Sequence, residues 1–229
     1  LSDAVFGFRY LASKRGLLGL VLFFAAVNFC LNFAMVLLGP MVLPASGSSG
    51  YGLAQACFGA GGLAGGLLFA VWGGPRRRKI PFTMLCLAAS GLGLVAAGLR
   101  PLLALQAAGL FLMLFAIQVG GAVNVGLFQT KIEAGAQGRT KAARSMVSMS
   151  LMPLAFLSAG PLSDRVFGPA LLPGGSLSAG PLGRLVGTGQ GRGAGLLFVL
   201  AGLALLAATF CAYLRPSVRN LEENLPDVI

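Results

Sequence analysis

Residues Leu17–Leu38 read LLGLVLFFAAVNFCLNFAMVLL, with no charge among them. A helix that crosses a bilayer needs roughly 20 mostly apolar residues. This stretch supplies them on every face, whereas a soluble helix shows only an apolar stripe. Transmembrane barrel strands alternate apolar and polar side chains, and Leu17–Leu38 does not alternate, so the pattern predicts a helix. Extended along the chain, it marks apolar runs at 16–43, 51–74, 81–99, 102–130, 143–163 and 193–214. The prediction is an all-α membrane protein, a six-transmembrane-helix bundle whose principal partner is the lipid bilayer.

Composition agrees with that solvent. The 229 residues are 56% hydrophobic and 10% charged, against about 25% charged in a soluble domain. The net charge is +11, which in a soluble protein would suggest nucleic acid. Here it follows from topology. If the N-terminus is cytoplasmic, every Lys and Arg except Arg100, Arg165, Arg184 and Arg192 falls on the inner side, as the positive-inside rule requires. The expectation is a multi-pass protein of the plasma membrane (bacterial inner membrane) with both termini cytoplasmic and no nucleic-acid partner.

What interrupts the runs gives the organisation. Residues 1–15 mix Phe6, Phe8, Tyr10 and Leu11 with Arg9, Lys14 and Arg15, the pattern of an interfacial lead-in helix. The first run is expected to end around Gly39-Pro40 and Pro44, before a turn at Ser46–Gly50. Arg76–Lys79 must be a loop, because four cations at about 2.5–3.5 kcal/mol each would cost roughly 10 kcal/mol or more at mid-membrane. Arg100-Pro101 is a tight outer turn, Lys131–Arg144 a basic inner loop, and Pro153 a kink in the fifth run. A Gly- and Pro-rich outer segment covers 164–192, and 215–229 is a cytoplasmic tail. Tyr51, Trp72 and Tyr213 sit at predicted helix ends, where amphipathic rings prefer the headgroups. The chain starts at Leu1 with no cleavable signal peptide in view, which reads as a piece of something longer.

Polar residues inside spans mostly face the bundle or a water-filled cavity. Asn28 and Asn32 lie four apart on one face of the first run, and Gln106, Gln118 and Asn124 fall in the fourth. The third and sixth runs hold no Asn, Gln or charge. The first and fourth are therefore expected to line a cavity and the third and sixth to face lipid; alternatively the amides only join helices. Gly61/Gly65 and Gly62/Gly66 form overlapping small-xxx-small pairs that admit a neighbouring backbone. Met146, Met149 and Met152 recur every three residues, as packing or as a surface for varied apolar ligands. Cys30, Cys57, Cys86 and Cys211 have no metal-ligand spacing and the chain has no His, so no metal, cofactor or catalytic residue is expected. An intramembrane enzyme would need a His, acidic or Ser constellation facing inward, and no acid lies clearly inside the bilayer. Glu133 falls in a loop and Asp164 at an outer end. Gly187–Gly193 looks like a phosphate loop but lacks the strand and the Lys-Ser/Thr that such a loop needs.

Several stretches together carry a family resemblance. They are Gly7-Phe8-Arg9-Tyr10-Leu11 before Gly16-Leu17-Leu18; Trp72-Gly73-Gly74-Pro75-Arg76-Arg77-Arg78; and Gln129 followed by Gln137-Gly138-Arg139. The most specific is Ala159–Phe167 with Pro173-Gly174-Gly175 and Gly189–Gly193, and the tail Leu221–Asp227 fits as well. On these the chain resembles the C-terminal half, helices seven to twelve, of a major facilitator superfamily transporter, nearest to the bacterial drug, macrolide and siderophore exporters. It departs in having no acidic residue before the basic cluster at Arg76–Lys79, and in Thr140-Lys141 where the family carries apolar residues.

The resemblance implies two inverted three-helix repeats and a substrate site near the midplane between two halves. Efflux of an amphipathic small molecule would follow by alternating access. Helices one and four would line the cavity, two and five would face the other half, and three and six would be peripheral. Asn28, Asn32, Gln118 and Asn124 would address substrate, with Phe24 and Met149 as apolar contacts. Arg76, Arg77, Arg78, Lys79 and Arg139 would hold the cytoplasmic loops and assist gating, and Gly61, Gly62, Gly65 and Gly66 would pack helices. The implied partners are a small-molecule substrate and either a missing N-terminal six-helix half or a second copy. The alternative is a truncated, non-transporting membrane fragment, or a half active only as a dimer.

Overall fold

A computed structural model describes residues 15–131 and 134–219, together with Arg9 and Glu222. The rest of the interfacial lead-in, Glu133 and the remainder of the tail lie outside the described residues. Among the described residues every element is helical. These are α1 Arg15–Trp72, α2 Lys79–Leu99, α3 Leu103–Lys131, α4 Ala134–Met149 and α5 Met152–Pro161. A π-helical stretch Leu162–Phe167 follows, then α6 Gly168–Leu171, α7 Pro181–Val186, α8 Arg192–Leu214 and α9 Pro216–Arg219. Five stretches are long and apolar enough to cross a membrane: Gly16–Trp72, Lys79–Leu99, Leu103–Thr130, Gln137–Leu171 and Arg192–Leu214. The molecule is a helical bundle of the multi-pass membrane type.

Helix α1 joins the first two apolar runs. Drawn straight, its 58 residues would extend about 87 Å at 1.5 Å per residue, nearly three times the roughly 30 Å hydrocarbon core. It is not straight. Gly47 has φ 65° and ψ −169°, a region that only glycine enters readily, and the chain reverses there. The neighbours of each arm fix this. Gly19 lies against Val218, and Gly191 against Pro40 and Met41, so arm 15–46 runs antiparallel to α8. Gly61 and Gly65 lie against Phe111 and Phe115, so arm 48–72 runs parallel to α3. Contacts of Gly93 with Gly109 and of Gly98 with Gly195 make α2 antiparallel to both α3 and α8, which sets the two arms of α1 antiparallel to each other.

The expected stop at Gly39-Pro40 and Pro44 is not where the helix breaks; it runs through both prolines. Pro44 lacks the N–H that would satisfy the carbonyl of Pro40, and the backbone of Gly191, at φ 77°, packs directly on that carbonyl. A neighbouring segment thus occupies the defect and the helix continues to Gly47.

The segment expected as a basic loop, Lys131–Arg144, is helical from Ala134 onward. Thr140, Ala143 and Val147 are spaced three and four apart and turn inward, while Arg139 and Lys141 stay exposed, so the stretch is amphipathic rather than irregular. Pro153 stands in the first turn of α5, just after a break at Ser150–Leu151. Proline is well suited there, because a first-turn N–H has no intrahelical acceptor to lose.

The centre of the bundle is α2, α3, α8 and arm 15–46. Leu20, Leu37, Leu38, Leu94, Leu110 and Phe198 are fully buried in one core. The third and sixth apolar runs, expected to face lipid because they carry no amide, are among the best covered. Each has 56% of its most apolar window buried, against 17% in Gln137–Leu171. Glycine explains the difference: α2 and α8 meet backbone to backbone at Gly98/Gly195 and Gly91/Gly202, a contact that needs small residues and no polar ones. Leu85 and Leu92 on α2 and Leu203 and Phe210 on α8 remain exposed on their other faces.

Candidate functional site

The amides of the first arm come from a single stripe. Phe24, Asn28, Asn32, Met35 and Gly39 are all half-buried, and their spacing of four, four, three and four keeps them on one helix face. Asn28 Nδ2 donates to the Phe24 carbonyl at 2.8 Å and Asn32 Nδ2 to the Asn28 carbonyl at 2.8 Å. Each amide nitrogen is therefore tied to its own helix, which leaves the carbonyl oxygen as the group able to accept from a ligand.

The α3 residues divide. Gln118 is exposed about midway along the helix, with its aliphatic carbons beside Gly62 and Gly65 of arm 48–72. Asn124 is 1% exposed, and neither of its amide atoms has a hydrogen-bond partner. It points into the bundle and not into an open groove. Gln106, one of the polar residues of the fourth run, is likewise fully buried and unpartnered. Phe24 stacks edge-on against Phe23, and Met149 is exposed on α4.

Two cavities are open elsewhere, and neither is lined by these six residues. One, of about 320 Å³, lies between the C-terminal turns of α3 and the start of α4, with Phe128, Gln129, Gln137, Lys141, Arg144 and Ser145 in its walls. The other, of about 370 Å³, lies at the opposite end among Pro40, Pro44, Ser163, Asp164 and Gln190. Sequence reading had not singled out Gln137, Lys141, Arg144 and Ser145 as a group. Their spacing of four, three and one would have marked one helix face had 131–144 been read as helix.

The basic turn is built by backbone conformation. Gly73 and Gly74 have φ of 75° and 82°, and Arg78 has φ 58°. Arg76, Arg77 and Arg78 project as exposed cations, and Lys79 opens α2. Arg139 is exposed on α4. Gly61 and Gly65 press against the backbone of α3; a Cβ on Gly65 would come within 2.6 Å of the Phe115 carbonyl oxygen. Gly62 meets the Leu114 side chain, and Gly66 faces open space.

Arg192, expected as an outer-loop cation, is 2% exposed. Its Nε donates to the Val186 carbonyl at 2.8 Å and its Nη2 to the Gly98 carbonyl at 2.6 Å. Those are C-terminal carbonyls of α7 and α2, which lack intrahelical donors. One guanidinium thus caps two helices, where its charge also suits the helix dipoles.

Among the described residues no group of three or more His, Cys, Asp or Glu could hold a metal ion. No family model, curated protein or solved structure matches the chain.

Proposed function

We propose that the chain is one half of a secondary active transporter that moves an amphipathic small molecule, a drug, macrolide or siderophore, out of the cell by alternating access. It would lie in a plasma membrane with both termini cytoplasmic, as one half of a major facilitator superfamily fold. The observation that carries this reading is Gln118, an amide exposed midway along an apolar helix. A polar group at that depth must meet water or another protein surface, because lipid offers no partner. The half-buried stripe of Phe24, Asn28 and Asn32 adds amide oxygens beside an aromatic ring, which suits a ligand that is part polar and part apolar. The low coverage of Gln137–Leu171, and exposed Leu63, Leu67 and Val71 on arm 48–72, fit surfaces that meet a second six-helix half.

The test is efflux by the complete transporter, the chain together with its complementary half, in proteoliposomes loaded with amphipathic fluorescent drugs. Asn28→Ala combined with Asn32→Ala is expected to lower efflux at least tenfold, about the loss of two ordinary hydrogen bonds at about 1 kcal/mol each. Unchanged efflux of every substrate would remove these residues from the pathway. Six further apolar runs in frame upstream of Leu1 would supply the missing half. The exposed apolar faces also suit a second copy of the chain, and transport by the chain alone as a dimer would favour that form.

A further inference from the structure

The cavity at the basic end has a chemistry of its own. Its walls combine two cations, Lys141 and Arg144, with the amides of Gln129 and Gln137, the hydroxyl of Ser145 and the apolar faces of Val125 and Phe128. None of its described lining residues is acidic. The Arg144 guanidinium carbon sits 4.2 Å from the centroid of the Phe128 ring. Stacking engages the flat face of a guanidinium and leaves its N–H edge to meet an acceptor, which is how arginine recognises phosphate. The volume of about 320 Å³ falls at the lower end of the range for small-molecule sites, about 300–1,000 Å³.

Position narrows the ligand. The cavity lies where a membrane-length helix, Leu103–Thr130, ends and the amphipathic helix α4 begins. It is on the same end of the bundle as Arg76–Lys79, because α3 runs parallel to arm 48–72. Val125, in its apolar wall, is 43% exposed. An occupant held here meets cations and amides on one side and an uncovered apolar surface on the other. Basic pockets between helices at this level suit anionic lipid headgroups.

We infer that this cavity binds the phosphate of an anionic phospholipid, with Lys141 and Arg144 on the phosphate oxygens, Gln129, Gln137 and Ser145 at the polar headgroup, and the acyl chains leaving past Val125. The site does not depend on the transport reading: a non-transporting membrane protein with these residues would bind the same lipid.

The test is native mass spectrometry of the purified full chain in detergent, titrated separately with phosphatidylglycerol, phosphatidylcholine and inorganic phosphate. Saturable binding of phosphatidylglycerol, in preference to phosphatidylcholine, is expected. Lys141→Gln, at an exposed position that folding does not depend on, should weaken it about fivefold, and Lys141→Gln with Arg144→Gln about 30-fold, from about 1 kcal/mol per cation. Arg76→Gln with Arg77→Gln, outside the cavity, should leave it within about twofold, well short of the effect of one such cation. Wild-type binding by the Lys141/Arg144 double variant overturns the site. Equal loss in the Arg76/Arg77 variant overturns it in favour of diffuse surface charge. Inorganic phosphate that displaces the lipid at matched concentration overturns the lipid as ligand in favour of a free anion.

Discussion

The side chain of Glu222 accepts a hydrogen bond from the backbone N–H of Lys79 at 2.5 Å, across 143 positions of sequence. Lys79 is the first residue of α2. The residue before it, Arg78, is left-handed and offers no side-chain cap, so the carboxylate from the tail fills that role. The basic turn Arg76–Lys79, which has no acidic residue of its own before it, receives one from the other end of the chain.

Removing that cap should loosen the start of α2. Glu222→Ala is expected to cost about 1 kcal/mol, the usual value of a lost N-cap. Glu222→Gln keeps an acceptor but loses the charge and should cost about half as much. Hydrogen exchange over residues 79–82 is the direct readout, and unchanged protection in Glu222→Ala would show the cap to be dispensable.

Gly65 and Gly66 are adjacent on a helix yet should respond oppositely to the same change. Gly65→Leu drives a side chain into the Phe115 carbonyl and should destabilise by about 3 kcal/mol, the upper range of overpacking. Gly66→Leu meets open space and should be neutral or slightly stabilising through helix propensity. Unfolding midpoints in detergent compare the two, and equal losses would mean that arm 48–72 does not dock on α3 in this register.

Arg192→Lys keeps the charge but cannot hold the Val186 and Gly98 carbonyls together. Hydrogen bonds to charged groups contribute about 1.5–3 kcal/mol, so losing one of the two should cost about 2 kcal/mol. Arg192→Met should cost more, since both carbonyls then lose their donor. Unfolding in denaturant distinguishes them, and a Lys variant as stable as wild type would show that charge alone suffices.

Asn124 predicts a gain. Its buried amide has no partner, and an unsatisfied polar group costs about 1–3 kcal/mol, so Asn124→Leu, of the same branched shape though bulkier, should raise stability by about 1 kcal/mol. A fall in stability in Asn124→Leu, repeated in the smaller Asn124→Ala, would show that the amide does have a partner.

The helical class and the presence of several membrane-length apolar helices could be read directly, because 20-residue apolar runs punctuated by clustered cations are local signals. What could not be read depended on neighbours. The run through Pro40 and Pro44 is packed against Gly191, and no local signal announces that neighbour. Bare α2 and α8 carry no amide to mark an interior; the glycines at Gly91, Gly98, Gly195 and Gly202 are what bring them together. Asn28, Asn32, Gln118 and Asn124 are visible as amides, but their cover (half-buried for the first two, exposed for Gln118, buried for Asn124) follows from helix rotation, which periodicity in an all-apolar run does not fix.

Gly47 carries a consequence for biogenesis. Its two flanking arms, 15–46 and 48–72, share one uninterrupted helical stretch apart from that single residue. Only the short polar stretch Ser46–Gly50, helical on both sides of Gly47, separates them, so the antiparallel arms form one hairpin with almost no loop. A non-glycine residue at 47 would meet no neighbour but would carry about 1–3 kcal/mol of backbone strain, so the hairpin would close less readily during synthesis while both apolar arms still belong in the bilayer.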